Sequence, residues 1–398
     1  MTFQLTSHAG GIVSRAPGKL YIAGEYAVVE PGHRAVLVAV DRFITVRITP
    51  HSRAGGHAGT ISSQLYATGS RPWRRRPQDG LAEAVGGEDD YIISAIRLVE
   101  ALVAEGGGRL GSFNLGISSE LDEADGRKLG LGSSSAVTVA TVRAVADFYG
   151  LAAGDLTVYK LAMLASDTVQ PIGSGGDIAA SAMTGWVAYT SPDRSWLRRA
   201  RQRAGAGGSV SDLVEADWPG LSVRRLPPPS LRLQAGWTGA PASTPALVAD
   251  VQAGSHGAND YAVFLRDSQD CLARLITAIE DDDAAQIMRQ IARNRALLAG
   301  LSRISGRTIE TAELARLVEI ALEYGAAAKS SGAGGGDCGI ALCTPATDLI
   351  ALRAAWETTG IRPLDLSVYS QDSSAVCAAD PAEARTDSST VSPVKVAP

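Results

Sequence analysis

Apolar positions along the chain recur at two spacings, and the elements follow from where each spacing holds. Ile12 to Arg15 and Leu20 to Ala23 are short apolar runs, and Phe113 to Ile117 alternates apolar with polar as a half-buried strand does. Ala35 to Val40 and Phe43 to Ile48 are rich in β-branched residues, with Asp41-Arg42 read as a tight link between two strands. Between Tyr91 and Ala104 the apolar residues Ile92, Ile93, Ile96, Val99 and Leu102 fall on one side of a helix. Val137 to Tyr149 reads as an Ala-rich helix ended near Gly150, and Leu156 to Ser166 as another. A Gly-rich turn at 173–176 leads into a short helix, Asp177 to Met183, and Trp186 to Tyr189 is a strand. Residues 51–90 read as irregular and 191–220 as an insertion, while Pro227-Pro228-Pro229 marks a boundary. The second half predicts a strand at Leu231 to Trp237, helices over 258–280, 283–299 and 308–324, a strand at Cys338 to Cys343 and a helix from Asp348 to Thr358. Apolar clusters then stop, so 378–398 is expected to be a disordered tail. The pattern predicts an α+β chain of two lobes, 1–226 and 227–377, rather than a clean alternation of strands and helices.

Composition adds limits. A chain of 398 residues holds more than one domain, and 45% hydrophobic with 20% charged residues is an ordinary globular mixture. The formal charge of -5 gives no whole-chain affinity for nucleic acid or membrane surfaces, so neither is expected as a partner. Two basic clusters stand out. Arg71, Arg74, Arg75 and Arg76 surround Trp73; Arg194, Arg198, Arg199, Arg201 and Arg203 form the other. Each reads as a solvated face or as help in drawing in an anionic substrate. Cys271, Cys338, Cys343 and Cys377 match no zinc or redox spacing. No apolar run reaches the ~18 residues of a membrane span, and the N-terminus has no signal-peptide pattern. A cytoplasmic protein, monomer or homodimer, is expected.

The chemistry begins at Gly130, Leu131, Gly132, Ser133, Ser134, Ser135 and Ala136, directly before a helix. The first turn of a helix carries amides without helical partners and a positive dipole end. Glycines let backbone approach an anion, and serine hydroxyls add donors or a Mg²⁺ ligand. By itself such a loop is equally a serine-capped turn. Neither the Walker pattern nor the protein-kinase signatures are present. Two further Gly-rich segments, Gly173 to Asp177 and Ser330 to Asp337, and an N-terminal Ala16-Pro17-Gly18-Lys19-Leu20 with Gly24-Glu25-Tyr26, raise the odds of an anion site.

The segments APGKLYIAGEYAVV, GLGSSSA and SGAGGGDCG, in that order, resemble the three signature motifs of the GHMP kinases over about residues 12–377. Within that superfamily the chain is similar to the bacterial phosphomevalonate kinases. Tyr26 stands where mevalonate kinases and galactokinases carry His, Asp125 to Lys128 precede the loop in place of a Pro-Gly-rich lead-in, and SGGDIAAS and Gly236-Trp237-Thr238-Gly239 resemble that subfamily's segments. The resemblance implies an N-terminal lobe with a left-handed βαβ unit and a ferredoxin-like C-terminal lobe. It also implies ATP and Mg²⁺ as cofactors and transfer of the γ-phosphoryl group to (R)-5-phosphomevalonate. Mevalonate kinase, or another small-molecule kinase of the superfamily, is the alternative. A non-catalytic nucleotide-binding regulator ranks lower, because it should have lost Lys19, Asp177 or the serines.

Roles carried over by motif position are expectations. Lys19 and Asp177 are the catalytic pair. Lys128 and residues 130–136 hold the nucleotide, with Ser134 as Mg²⁺ ligand. Tyr26, Ser174, Gly175, Ser331, Gly332 and Ala333 face the acceptor. Where relatives place a metal-binding glutamate before the aspartate-bearing turn, this chain offers only Asp167. Ser135 and Ile172 are further departures from the family pattern.

Overall fold

A computed structural model describes residues 11–51, 57–63, 69–88, 90–123, 126–171, 173–205, 208–240 and 258–371. The expected tail at 378–398 and Cys377 lie outside them. The strands are β1 (Ile12–Ala23), β2 (Arg34–Pro50), β3 (Gly59–Ser63), β4 (Ser70–Arg75), β5 (Ala82–Ala84), β6 (Phe113–Ser119), β7 (Trp186–Thr190) and β8 (Ser222–Leu226) in a large sheet. Its order is β5-β4-β3-β6-β2-β7-β8, with β1 paired along β2. A second sheet holds β9 (Arg232–Trp237), β10 (Ala327–Ser330), β11 (Cys338–Cys343) and β12 (Arg362–Leu364) in the order β10-β11-β9-β12. Every pairing in that sheet is antiparallel, the split-βαβ arrangement of ferredoxin-like domains.

The helices are α1 (Tyr91–Glu105), α2 (Ser133–Phe148), α3 (Asp155–Val169), α4 (Gly176–Met183), α5 (Arg194–Gly205) and α6 (Val210–Glu215), then α7 (Ala258–Glu280), α8 (Ala284–Ser305), α9 (Ala312–Glu323) and α10 (Leu349–Thr358). β3 and β6 run parallel with α1 between them in sequence, a βαβ crossover. One apolar core spans α1 to α4, both long strands and the inner faces of α7 and α8, and aliphatic side chains are joined in it by Trp73, Phe113 and Trp186.

Three sequence expectations are corrected. Asp41-Arg42 is not a turn: β2 runs straight through it. The β1 register jumps from Pro17↔Phe43 to Gly18↔Val40, so Asp41 and Arg42 are the extra residues of a bulge. Residues 51–90 are not irregular throughout but contain β3, β4 and β5, with Trp73 fully buried and its indole N–H donating to Phe113 O at 3.1 Å. Residues 191–220 are a packed wall built on two helices. Lys160 on α3 donates to Val214 O at 2.8 Å and Ala216 O at 2.7 Å, capping the end of α6. At the other end of α6, Glu105 accepts from Val210 N at 2.7 Å and Ser211 N at 2.9 Å.

Candidate active site

The first motif lies beneath the glycine-serine loop. Lys19 N donates to Leu131 O at 2.9 Å within this contact. Gly18 permits it, since a Cβ there would sit 2.7 Å from Leu121 Cδ2 and 2.9 Å from Leu131 O. The Lys19 ammonium is thereby aimed upward. It donates to Gly130 O at 3.1 Å and stands 3.6 Å from Asp177 Oδ2.

Gly132 occupies the left-handed region at φ 82 and is the N-cap of α2. A Cβ at that position would come within 3.0 Å of Lys19 Cε. The first helical bond is Ala136 N to Gly132 O, 3.0 Å, which leaves the amides of Ser133, Ser134 and Ser135 without helical acceptors. α4 repeats the device. Gly175, φ 87, is its N-cap, and its first helical bond is Ala179 N to Gly175 O at 3.0 Å. A Cβ on Gly176 would lie 2.7 Å from Tyr21 Oη. Two helix N-termini, both positive dipole ends, therefore face one space with Lys19 between them.

The third motif closes the opposite wall. Asp337 packs on Gly130, where a Cβ would fall 2.6 Å from Asp337 Cβ, and Cys338 Sγ donates to Leu129 O at 3.0 Å. Burial pushes the Cys338 thiol up to about 12, so it stays protonated. Ser331 Oγ accepts from Tyr21 N at 2.9 Å and donates to Tyr21 O at 3.0 Å. Tyr26 Oη donates to Ala333 O, and burial raises its phenol far above the ordinary range. Lys329 donates to Glu25 Oε1 and Ser330 O with both charged side chains buried.

A cavity of about 520 Å³ results, the size of a small-molecule site. A tyrosine chain stiffens its floor. Tyr159 and Tyr189 share a hydrogen bond of 2.9 Å, Tyr189 donates to Ser174 O at 2.6 Å, and Tyr21 Oη lies 3.1 Å from Ser174 Oγ.

The GHMP kinases N terminal domain matches residues 90–185 and the GHMP kinases C terminal domain residues 275–362. The phosphomevalonate kinase of Streptomyces sp. (strain CL190) is 43% identical over 375 residues, 91% of this chain and 98% of that protein. The chain belongs to the GHMP kinases. Among solved structures, a Listeria innocua protein (Lin0012) superposes with a TM-score of 0.82 at 34% identity, covering 90% of this chain and 98% of that one. Streptococcus pneumoniae phosphomevalonate kinase in complex with phosphomevalonate and AMPPNP superposes at 0.76 with 30% identity, covering 90% of this chain and 100% of that one.

In this GHMP kinase the cavity brings together Lys19, Tyr26, Lys128, residues 130–135, Ser174, Gly175, Asp177, Gly332 and Ala333. Two expected site residues stand apart. Ala136 is buried and its amide already serves the first turn of α2. Ser331 does not line the cavity, because both functions of its hydroxyl are taken by the Tyr21 backbone. Asp177 is not an N-cap, since Gly175 fills that role and the carboxylate faces Lys19. Asp167 reaches the cavity, but its oxygens pair with Arg194 Nη2 at 2.9 Å and with Arg201 Nη1. In this structure it is a partner for two arginines.

Sequence reasoning missed Tyr21, Glu25, Arg194 and Asp337 as cavity residues. Tyr21 and Glu25 carried a local signal, being two and six residues past Lys19 in one motif. Arg194 carried only a place in an Arg-rich run.

Proposed function

We infer that this chain transfers the γ-phosphoryl group of ATP to the phosphate of (R)-5-phosphomevalonate, giving 5-diphosphomevalonate and ADP. The observation that carries the reading is the placement of Lys19 between two helix N-termini in a cavity whose chain is 43% identical to a phosphomevalonate kinase. Donor and acceptor are both polyanions, and catalysis of phosphoryl transfer is mostly positioning and charge neutralisation. The free amides of Ser133 to Ser135 suit the donor phosphates, and Lys128 extends the positive charge on that side.

Lys19 bridges the two phosphates as charge shifts between them. The acceptor is a phosphate monoester with a second pKa of about 6, already mostly dianionic at neutral pH. No proton need be removed, so Asp177 serves chiefly to orient the Lys19 ammonium at 3.6 Å. Mg²⁺ fits the donor set: the Ser134 hydroxyl lines the cavity at the start of α2, and this ion binds few protein oxygens beside substrate phosphates. Ser134 would hold it, and once bound it neutralises phosphate charge. No described helix is long and apolar enough to cross a membrane.

The test is to incubate the protein with Mg-ATP and either mevalonate or 5-phosphomevalonate and to follow ADP release. Turnover with 5-phosphomevalonate alone is expected; turnover with mevalonate alone would overturn the assignment.

A further inference from the structure

The acceptor assigned above carries charge at both ends, a phosphate and a carboxylate, and this inference rests on that reading. The phosphate end must meet the γ-phosphoryl group beside Lys19. A second cation is then needed for the other end. Among the described residues lining the cavity the cations are Lys19, Lys128 and Arg194. Lys128 is exposed and sits two residues before Gly130, on the donor side. Arg194 is left, on a different wall.

We propose that Arg194 binds the carboxylate of the acceptor. Its guanidinium is held rather than swinging free: Nη2 donates to Pro171 O at 2.8 Å and is ion-paired with Asp167 Oδ1 at 2.9 Å, and Nη1 lies 3.6 Å from Met163 Sδ. A guanidinium has five N–H donors, so donors remain for a ligand in the planar fork that suits a carboxylate. Asp167 does not cancel the charge. Arg201 pairs with its other oxygen, so one carboxylate faces two guanidinium groups and the pocket wall stays positive.

The position also fits the path of an extended acceptor. Met163, beside Arg194, touches the Gly175 turn, where a Cβ would meet its Sδ at 2.7 Å. Two residues on is Asp177, the partner of Lys19. Tyr189, whose phenol feels both Arg194 and Asp177, donates to Ser174 O in that same turn at 2.6 Å. The wall carrying Arg194 is the start of α5, held in place through the capped α6. The segment that reads as an insertion thus supplies the second anchor.

The experiment measures steady-state ADP release by the full chain at saturating Mg-ATP. Wild type, Arg194→Gln and Arg194→Lys are each given 5-phosphomevalonate and its analogue with a carboxamide in place of the carboxylate. Wild type should prefer the carboxylate by about 30-fold or more in kcat/KM, the scale of a lost charge-assisted pair. Arg194→Gln should lose a similar factor with the natural acceptor, chiefly in KM, and should treat the two acceptors alike. Arg194→Lys should fall between, because it keeps the charge and loses the fork. The KM for ATP, read in a second series with Mg-ATP varied at saturating acceptor, should not move. Melting curves accompany the assays, and if Arg194→Gln does not fold, the acceptor preference of Arg194→Lys decides. A variant that keeps the wild-type preference for the carboxylate overturns the inference alone, as does a loss confined to the KM for ATP. Wild type inactive on 5-phosphomevalonate overturns the acceptor assignment and this inference with it.

Discussion

Two lysine–carboxylate pairs lie in and beside this site, and they are built for opposite ends. Lys19 and Asp177 stand 3.6 Å apart on a cavity wall, with the aspartate side chain 31% exposed. Lys329 and Glu25 are in direct contact, with side-chain exposures of 0% and 2%. The first pair is loose, and Lys19 also leans on a carbonyl, so an incoming phosphate can take the ammonium at small cost. The second is buried although Glu25 also borders the cavity, and removing one partner leaves a bare charge in the interior. Glu25 Oε2 has no hydrogen-bond partner among the described residues, which makes the dependence on Lys329 sharper. The same chemistry thus gives a working cation in one place and a clasp between the lobes in the other. What decides is access to solvent and ligand.

This contrast can be broken experimentally. The largest effect is expected for Lys19→Met, which should lower kcat by about 10³ or more while leaving the melting temperature nearly unchanged, measured by ADP release and calorimetry. A drop in stability as large as the drop in rate would place Lys19 with the clasp. Lys329→Met should do the reverse, costing about 3–5 kcal/mol of unfolding free energy in a denaturant titration. Removing the opposing charge as well, in Lys329→Met with Glu25→Gln, should restore part of that loss; further destabilisation would count against a closed pair. Asp177→Asn comes next, with a fall in kcat of about 10- to 100-fold, the range for a mispositioned group. If this change proves more damaging than Lys19→Met, Asp177 acts as a base and not as an orienting partner. Lys128→Ala should have the smallest effect, a rise of several-fold in the KM for ATP with kcat nearly constant, since an exposed charge contributes on the order of 1 kcal/mol. Steady-state kinetics at two salt concentrations would check it, because that contribution must shrink as screening grows.

The difference between the pairs also explains what could be read from the sequence. Lys19, the loop at 130–135 and Asp177 were legible because their roles need local backbone: glycines at positive φ before helix starts. The long helices were legible because their apolar faces repeat at helical spacing. Lys329 and Arg194 were not, since nothing near them in sequence announces a partner 304 residues away or a carboxylate on another helix. The pairing of Asp167 was not legible for the same reason: Arg194 and Arg201 come from beyond the local window. Ser331 sat in a convincing glycine-rich motif, yet its hydroxyl is spent on the Tyr21 backbone, a contact across 310 residues. In the fold, β4 escaped notice because Pro72 and four arginines around Trp73 hide a single buried indole. The bulge at Asp41-Arg42 looked like a turn, because two polar residues between apolar runs are common to both.

The clasp has a consequence for the order in which the molecule is made. The phosphate loop and the Lys19–Asp177 pair are present once residue 177 has been synthesised, and the contacts of Lys19 with Asp177 and Gly130 lie within the first lobe. Glu25 must wait for Lys329, and Tyr21 for Ser331. A lobe that folds early, as emerging domains do, therefore holds an uncompensated carboxylate where its neighbour will dock. Such distant partners are slow to find, though closing a long loop costs little more free energy than closing a moderate one. The anion cradle is assembled first and its third wall last, so catalytic competence marks the end of folding.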